Sequence, residues 1–191
     1  DPARVAKVDL ASFERVGAIS VGPGEEQIAA AVIDPAGAFA YFGVTDVLGD
    51  SRVLKIALDG FELVDELPLE DGSLALTAAV MDPAGSFAYF AASSPPGSPG
   101  RVLKLDLANF EFVGSLVLDG GEEVLPAVAI DPAGAFAYVG TASAPGKVVQ
   151  IDLATFARVA TLTLASGEIG VASLLVDPGT ASAYVGTATV P

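Results

Sequence analysis

Cysteine, histidine and tryptophan are absent from the 191 residues. Without a thiol or an imidazole there is no cysteine nucleophile and no histidine general base, and the usual zinc ligand sets are excluded. No disulfide can record a redox compartment. Basic residues are scarce, 9 Lys and Arg against 24 Asp and Glu, for a net charge of −15. A nucleic-acid partner needs a basic footprint, so none is expected, and an anionic membrane surface would repel the chain. Long apolar runs are missing as well. Although 52% of the residues are hydrophobic and the mean hydropathy is +0.58, no run approaches the ~18 residues that a membrane-spanning helix needs. Membrane insertion is not expected, and the apolar excess calls for a fold that buries both faces of its elements. Neither an initiator Met nor a basic leader precedes Asp1, which falls inside a repeat, so a processed or partial chain is expected.

What is present is repetition. "VIDPAGAFAYFG" at 32–43 returns as "VMDPAGSFAYFA" at 80–91 and "AIDPAGAFAYVG" at 129–140, with a worn copy, "LVDPGTASAYVG", at 175–186. The repeated aspartates are Asp34, Asp82, Asp131 and Asp177. Two further markers keep the same register: "RVAK", "RVLK", "RVLK" and "KVVQ" at 4, 52, 101 and 147, and then Phe13, Phe61, Phe110 and Phe156. All four tyrosines, Tyr41, Tyr89, Tyr138 and Tyr184, occupy one repeat position. The whole chain, 1–191, therefore reads as one domain of four units, about 4–51, 52–100, 101–146 and 147–191.

Each unit reads as four short strands. In one of them "LTAAVMD" (76–82) stops at Asp-Pro-Ala-Gly, "FAYFAAS" (87–93) follows, and "RVLKLDL" (101–107) and "EFVGSLVL" (111–118) complete the set. Asp then Pro opens a tight turn, and Gly supplies the positive φ that closes it. No window holds an apolar period near 3.6, so helix is not expected. Leucine-rich repeats and β-helix coils are shorter than these units, whereas four-stranded propeller blades run to roughly 40–50 residues. An all-β fold of four-stranded antiparallel blades follows. Blades packed face to face bury both sides of each sheet, which accounts for the apolar excess.

The segment from Tyr138 to Thr187 carries "YVGT", "IDLATF", "VATLTL", "VDP" and a second "AYVGT". This string resembles the YVTN-type β-propeller repeat family. The resemblance implies a bacterial or archaeal surface or secreted scaffold and supplies no catalytic residues. Where that family has Asn after Tyr-Val, this chain has Gly43, Ala91, Gly140 and Gly186.

The inner strand of each blade should precede Asp-Pro, at 28–34, 76–82, 125–131 and 171–177. The chain then begins on a third strand (4–10) and ends on a second (182–187). The missing halves are complementary, so strands from both termini can share one blade. A self-closed four-bladed ring is the simpler outcome. An eight-bladed ring from two chains, a homodimer, satisfies the same pairing, as does a segment of a longer propeller.

The loops from outer strand to next inner strand should crowd one mouth of the ring. They hold Glu25, Glu26, Glu70, Asp71, Asp119, Glu122, Glu123 and Glu168 and no base. Such a rim attracts Ca²⁺, a hard cation that takes oxygen ligands, or a basic partner. Solvated loops on an acidic protein are the plainer account, because the Asp/Asn alternation of a dedicated calcium loop is missing. No cofactor beyond Ca²⁺ is suggested. The aspartates at 34, 82, 131 and 177 read as turn caps rather than as a carboxylate ring, and the tyrosines as blade packing rather than as a carbohydrate platform. A non-enzymatic scaffold for a protein or carbohydrate ligand, outside the cytoplasm, is expected. The alternatives are a cation-dependent propeller hydrolase of the lactonase kind and a purely structural, cation-stabilised ring.

Overall fold

The computed structural model describes residues 3–22, 27–46, 48–69 and 74–188. Glu25, Glu26, Glu70 and Asp71 lie outside the described residues. The described residues form sixteen strands and no helix. They are β1 (Arg4–Asp9), β2 (Glu14–Ser20), β3 (Gln27–Ile33), β4 (Phe39–Thr45), β5 (Ser51–Ala57), β6 (Glu62–Leu69), β7 (Ala75–Met81) and β8 (Phe87–Ser93). There follow β9 (Arg101–Asp106), β10 (Glu111–Val117), β11 (Ala127–Ile130), β12 (Phe136–Thr141), β13 (Lys147–Asp152), β14 (Ala157–Thr163), β15 (Ile169–Val176) and β16 (Ala183–Ala188).

Three four-stranded antiparallel meanders, β3–β6, β7–β10 and β11–β14, are flanked by two-stranded sheets, β1–β2 and β15–β16. Strands β3, β7, β11 and β15 touch in succession and form the hub. Small residues such as Ala30, Ala78 and Ala127 allow that crowding. At Gly140 on β12 an added Cβ would stand 2.7 Å from the Cβ of Val171 on β15, so only glycine permits this approach.

The repeated local chemistry sets the strand ends. The Asp34 carboxylate accepts hydrogen bonds from the Ala38 and Phe39 amides at 2.8 and 2.9 Å. The Gly37 amide donates to the Asp34 carbonyl, with Gly37 at φ +69°. Between third and fourth strands, Asp9, Asp106 and Asp152 accept from amides two or three residues on. Each such turn ends on a phenylalanine in the left-handed region: Phe13, Phe61, Phe110 and Phe156, at φ of 50–55°. That conformation costs a non-glycine residue about 1–2 kcal/mol. In all four outer pairs the register also shifts just past the third-strand Lys or Gln. A bulge there adds twist and turns the outer edge away from neighbours.

The core lies between sheets. Tyr41, Val53, Leu76, Phe90, Leu103, Leu105 and Phe110 join β3–β6 to β7–β10. Tyr89, Val102, Leu125, Val139, Val149 and Ile151 join β7–β10 to β11–β14. The interfaces with the two flanking sheets bury fewer residues.

The expected self-closed four-bladed ring is not what forms. Among the described residues β1 pairs only with β2 and β16 only with β15, so the two ends do not share a blade. A four-bladed ring calls for bulky side chains wedged between its outer strands; here β14 is mostly exposed, and Val16, Val64, Val113 and Val159 of the outer strands face solvent.

Candidate functional site

The loop before β11 holds a strongly charged cluster. Glu122 is 0% exposed. Its carboxylate accepts from Arg158 Nη1 at 2.8 Å, Arg158 Nη2 at 3.1 Å, Lys147 Nζ at 3.2 Å and the Asp119 amide at 3.0 Å. Arg158 Nη1 also lies 2.8 Å from Asp119 Oδ2. Burial pushes the Glu122 carboxyl up, but the hydrogen bonds from Arg158, the Asp119 amide and Lys147 outweigh it and hold it below its ordinary range. Sequence reading placed Glu122 on an open acidic rim. The structure turns it inward, because Lys147 and Arg158 of the following sheet are there to meet it.

The other described rim acids also serve the framework. Glu123 Oε1 accepts from the Gly97 amide at 3.0 Å, which ties the 94–100 loop down. Glu168 Oε2 accepts from the Ala165 amide at 2.7 Å. Among the described residues no three carboxylates converge on a metal-sized site. The Asp-Pro aspartates are spread one to a sheet. Phe87 donates its amide to Asp82 at 2.7 Å, Ala135 and Phe136 to Asp131 at 2.7 and 3.1 Å, and Gly179 to Asp177 at 2.8 Å.

The grooves between sheets are built from lysine and aromatic rings. Lys55 Nζ stands 4.6 Å from the Phe39 ring centroid and 5.4 Å from that of Phe110. Lys104 Nζ repeats the arrangement over Phe87 at 4.2 Å and Phe156 at 5.6 Å. Tyr41 packs on Phe110 and Tyr89 on Phe156, with ring centroids 5.9 and 6.0 Å apart. The left-handed phenylalanine of one sheet thus reaches the tyrosine of the sheet before it. Its burial offsets the backbone strain, since an aromatic pair contributes ~0.5–1.5 kcal/mol beyond its buried area. Burial, with the Asp82 charge added, pushes the Tyr89 hydroxyl up to about 12, and burial with Asp34 raises that of Tyr41. At 2% and 1% exposure Tyr41 and Tyr89 cannot stack on a sugar. Beside them a groove of about 460 Å³ opens between β3–β6 and β7–β10, lined by Asp34, Tyr41, Lys55, Ser86 and Asp106. The lysine repeat at 7, 55 and 104 was visible in the sequence, but its pairing across sheets needs the fold.

No protein-family model and no curated sequence matches the chain. Solved structures do. A chain of Kuenenia stuttgartiensis hydrazine synthase superposes with a TM-score of 0.77 at 21% identity, over 92% of this chain and 47% of that one. The β-propeller domain of Myceliophteria thermophila Swd1 gives 0.71 at 16% identity, over 97% and 56%. The RRP9 WD40 repeats give 0.63 at 13% identity, over 80% and 43%. These likenesses show the fold, a β-propeller. The chain spans about half the length of the solved chains it matches.

Proposed function

We propose that this chain is a non-catalytic propeller scaffold whose net negative charge draws a basic protein segment, as an extracytoplasmic protein of the YVTN type. One observation carries the reading: among the described residues, the rim glutamates and the Asp-Pro carboxylates are engaged in the framework. Glu122 is held by Arg158 and Lys147, Glu123 and Glu168 cap loop amides, and the Asp-Pro carboxylates cap turns. What is left for a partner is shape and field. A net charge of −15 raises the local concentration of cations and steers basic partners.

Calorimetric titration with a lysine-rich peptide, against a neutral oligosaccharide and Ca²⁺ alone, tests the proposal. The peptide should bind, and its affinity should fall as salt rises from 50 to about 300 mM, because exposed charges are screened over ~10 Å at 0.1 M. Absence of peptide binding at low salt overturns the reading. So does turnover of a lactone or ester panel, and so does Ca²⁺-dependent melting with no peptide binding.

A further inference from the structure

We infer that the groove between β3–β6 and β7–β10 binds a zwitterionic α-amino acid with an apolar side chain, its carboxylate on Lys55 and Tyr41 and its ammonium between Asp34 and Asp106. The inference does not rest on the scaffold reading, which concerns the field of the whole chain. Both walls of the groove are complete four-stranded sheets, so the end hairpins have no part in it.

Local structure brings the four groups together. Asp34 opens the β3–β4 turn, and Asp106 opens the β9–β10 turn of the next sheet. Tyr41 on β4 stands opposite Lys55 on β5. Phe110, on its left-handed backbone, brings the Asp106 turn onto Tyr41, with ring centroids 5.9 Å apart. The space left is about 460 Å³, within the ~300–1,000 Å³ of small-molecule sites. Strands and short turns hold it, which favours a fixed geometry.

Each of the four groups keeps unused capacity. Tyr41 is 2% exposed. Its hydroxyl bonds to no described residue and is not sealed from solvent, so it opens on the groove that the residue lines. Burial and the Asp34 charge raise that hydroxyl above its ordinary value, which keeps its proton in place for donation. Lys55 Nζ lies over the Phe39 and Phe110 rings and, among the described residues, has no hydrogen bond or ion pair. An ammonium offers three donors and a carboxylate about four acceptor sites. The Asp34 oxygens accept one amide each, at 2.8 and 2.9 Å. Asp106 takes the Ala108 and Asn109 amides on Oδ1 alone, at 2.8 and 3.1 Å, and leaves Oδ2 open.

The sibling groove between β7–β10 and β11–β14 has the same positions already engaged. Lys104 Nζ reaches the Leu153 carbonyl at 3.5 Å. Asp152 Oδ1 accepts from the Thr155 hydroxyl at 2.8 Å as well as from its amide. One sheet further on, the Tyr138 hydroxyl accepts from Gln150 Nε2 at 3.4 Å. Asn109 stands where the other turns have Ser12 and Thr155, so Asp106 receives no hydroxyl.

Charge selects the occupant. A simple anion on Lys55 would meet Asp34, Asp106 and the field of a chain at −15. A simple cation on the aspartates would meet Lys55. A zwitterion answers both signs and is neutral in that field. Phe39, Phe87 and Leu107 give its side chain an apolar wall.

Amide shifts of the ¹⁵N-labelled full chain, titrated with L-leucine, test the assignment. The Phe39, Leu107 and Ala108 amides should shift and saturate below ~10 mM. N-acetyl-leucine, which keeps only the carboxylate, and leucinamide, which keeps only the ammonium, should each bind at least about tenfold more weakly. Lys55→Met should cost at least about tenfold as well. Tyr41→Phe, which keeps the packed ring, should cost roughly fivefold, one neutral hydrogen bond. Both are read on protein whose circular dichroism matches the parent. Lys7→Met, at the same repeat position outside the groove, should change nothing. Four results would each overturn the inference: no saturable shift at those amides, a blocked derivative binding as tightly as L-leucine, Tyr41→Phe binding like the parent, or Lys7→Met weakening binding as much as Lys55→Met.

Discussion

The middle blades and the two end hairpins are written in nearly the same residues, yet their side chains meet opposite surroundings. Leu105 and Ile151 on third strands are 0% exposed, and their counterpart Val8 is 46% exposed. Tyr89 is 1% exposed and Tyr184 63%. Strands form in both regions, and Phe13 between β1 and β2 takes the same left-handed backbone as Phe110 and Phe156. A repeat unit therefore specifies its own hairpins, while the neighbouring sheet decides which of its residues become core. The sharpest way to break this comparison is the same truncation in both regions. Leu105→Ala should destabilise the chain by about 2–5 kcal/mol, the transfer term plus the cavity. Val8→Ala should cost under about 1 kcal/mol. Urea denaturation measures both, and equal losses would abolish the distinction.

A second test concerns the loop between β10 and β11, where Glu122 is buried. Arg158→Met leaves Glu122 buried beside Lys147 alone, and removing one partner of a buried pair costs about 3 kcal/mol. Among the described residues the end hairpins have no such cluster, so the loss should fall on the β7–β10 and β11–β14 contact, where amide exchange would rise. Because the folded Glu122 carboxyl is held below its unfolded value, its contribution is complete above pH ~4.3. It fades as pH drops through the folded value. Glu122→Gln should flatten that acid limb of the denaturation profile. An unchanged limb would mean that Glu122 is not the group responsible.

How much of this was legible follows from range. Asp-Pro-Ala-Gly, the Asp-containing outer turns and the alternation of apolar strands act over a few residues, so strand positions, antiparallel order and blade composition could be read directly. The position of the tyrosines implied packing but not the partner, because Phe110 lies 69 residues from Tyr41 and only stacking of sheets brings them together. Glu122 looked like one acid among eight. Its burial depends on Lys147 and Arg158, which sit in the next unit; the repeat positions of that pair hold Arg4 and Arg15, Arg52 and Leu63, and Arg101 and Phe112 in the earlier units, so the repeat itself did not single out the contact. Ring closure was ambiguous because strand complementarity is the same within a chain and between chains. It turns on how whole sheets pack against one another, which no short motif encodes.

The smallest contrast lies in the turns themselves. Asp131 closes the β11–β12 turn of a whole blade with two amide hydrogen bonds, and Asp177 does the equivalent job at β15–β16 with the Gly179 amide and the Thr180 hydroxyl. Asp131→Ala leaves the Phe136 amide half-buried without its acceptor and should cost about 1–2 kcal/mol, the usual loss on removing a capping side chain. Asp177→Ala frees groups that water reaches at once, so a smaller loss is expected. Hydrogen bonds from the Gly179 amide and the Thr180 hydroxyl lower the Asp177 carboxyl below its ordinary value. That small contribution is present above the unfolded value and is lost on acidification. Thermal melts of the two variants at neutral pH read the difference. If Asp177→Ala costs as much as Asp131→Ala, the end hairpin is not solvated in the way its exposure indicates, and something already covers it.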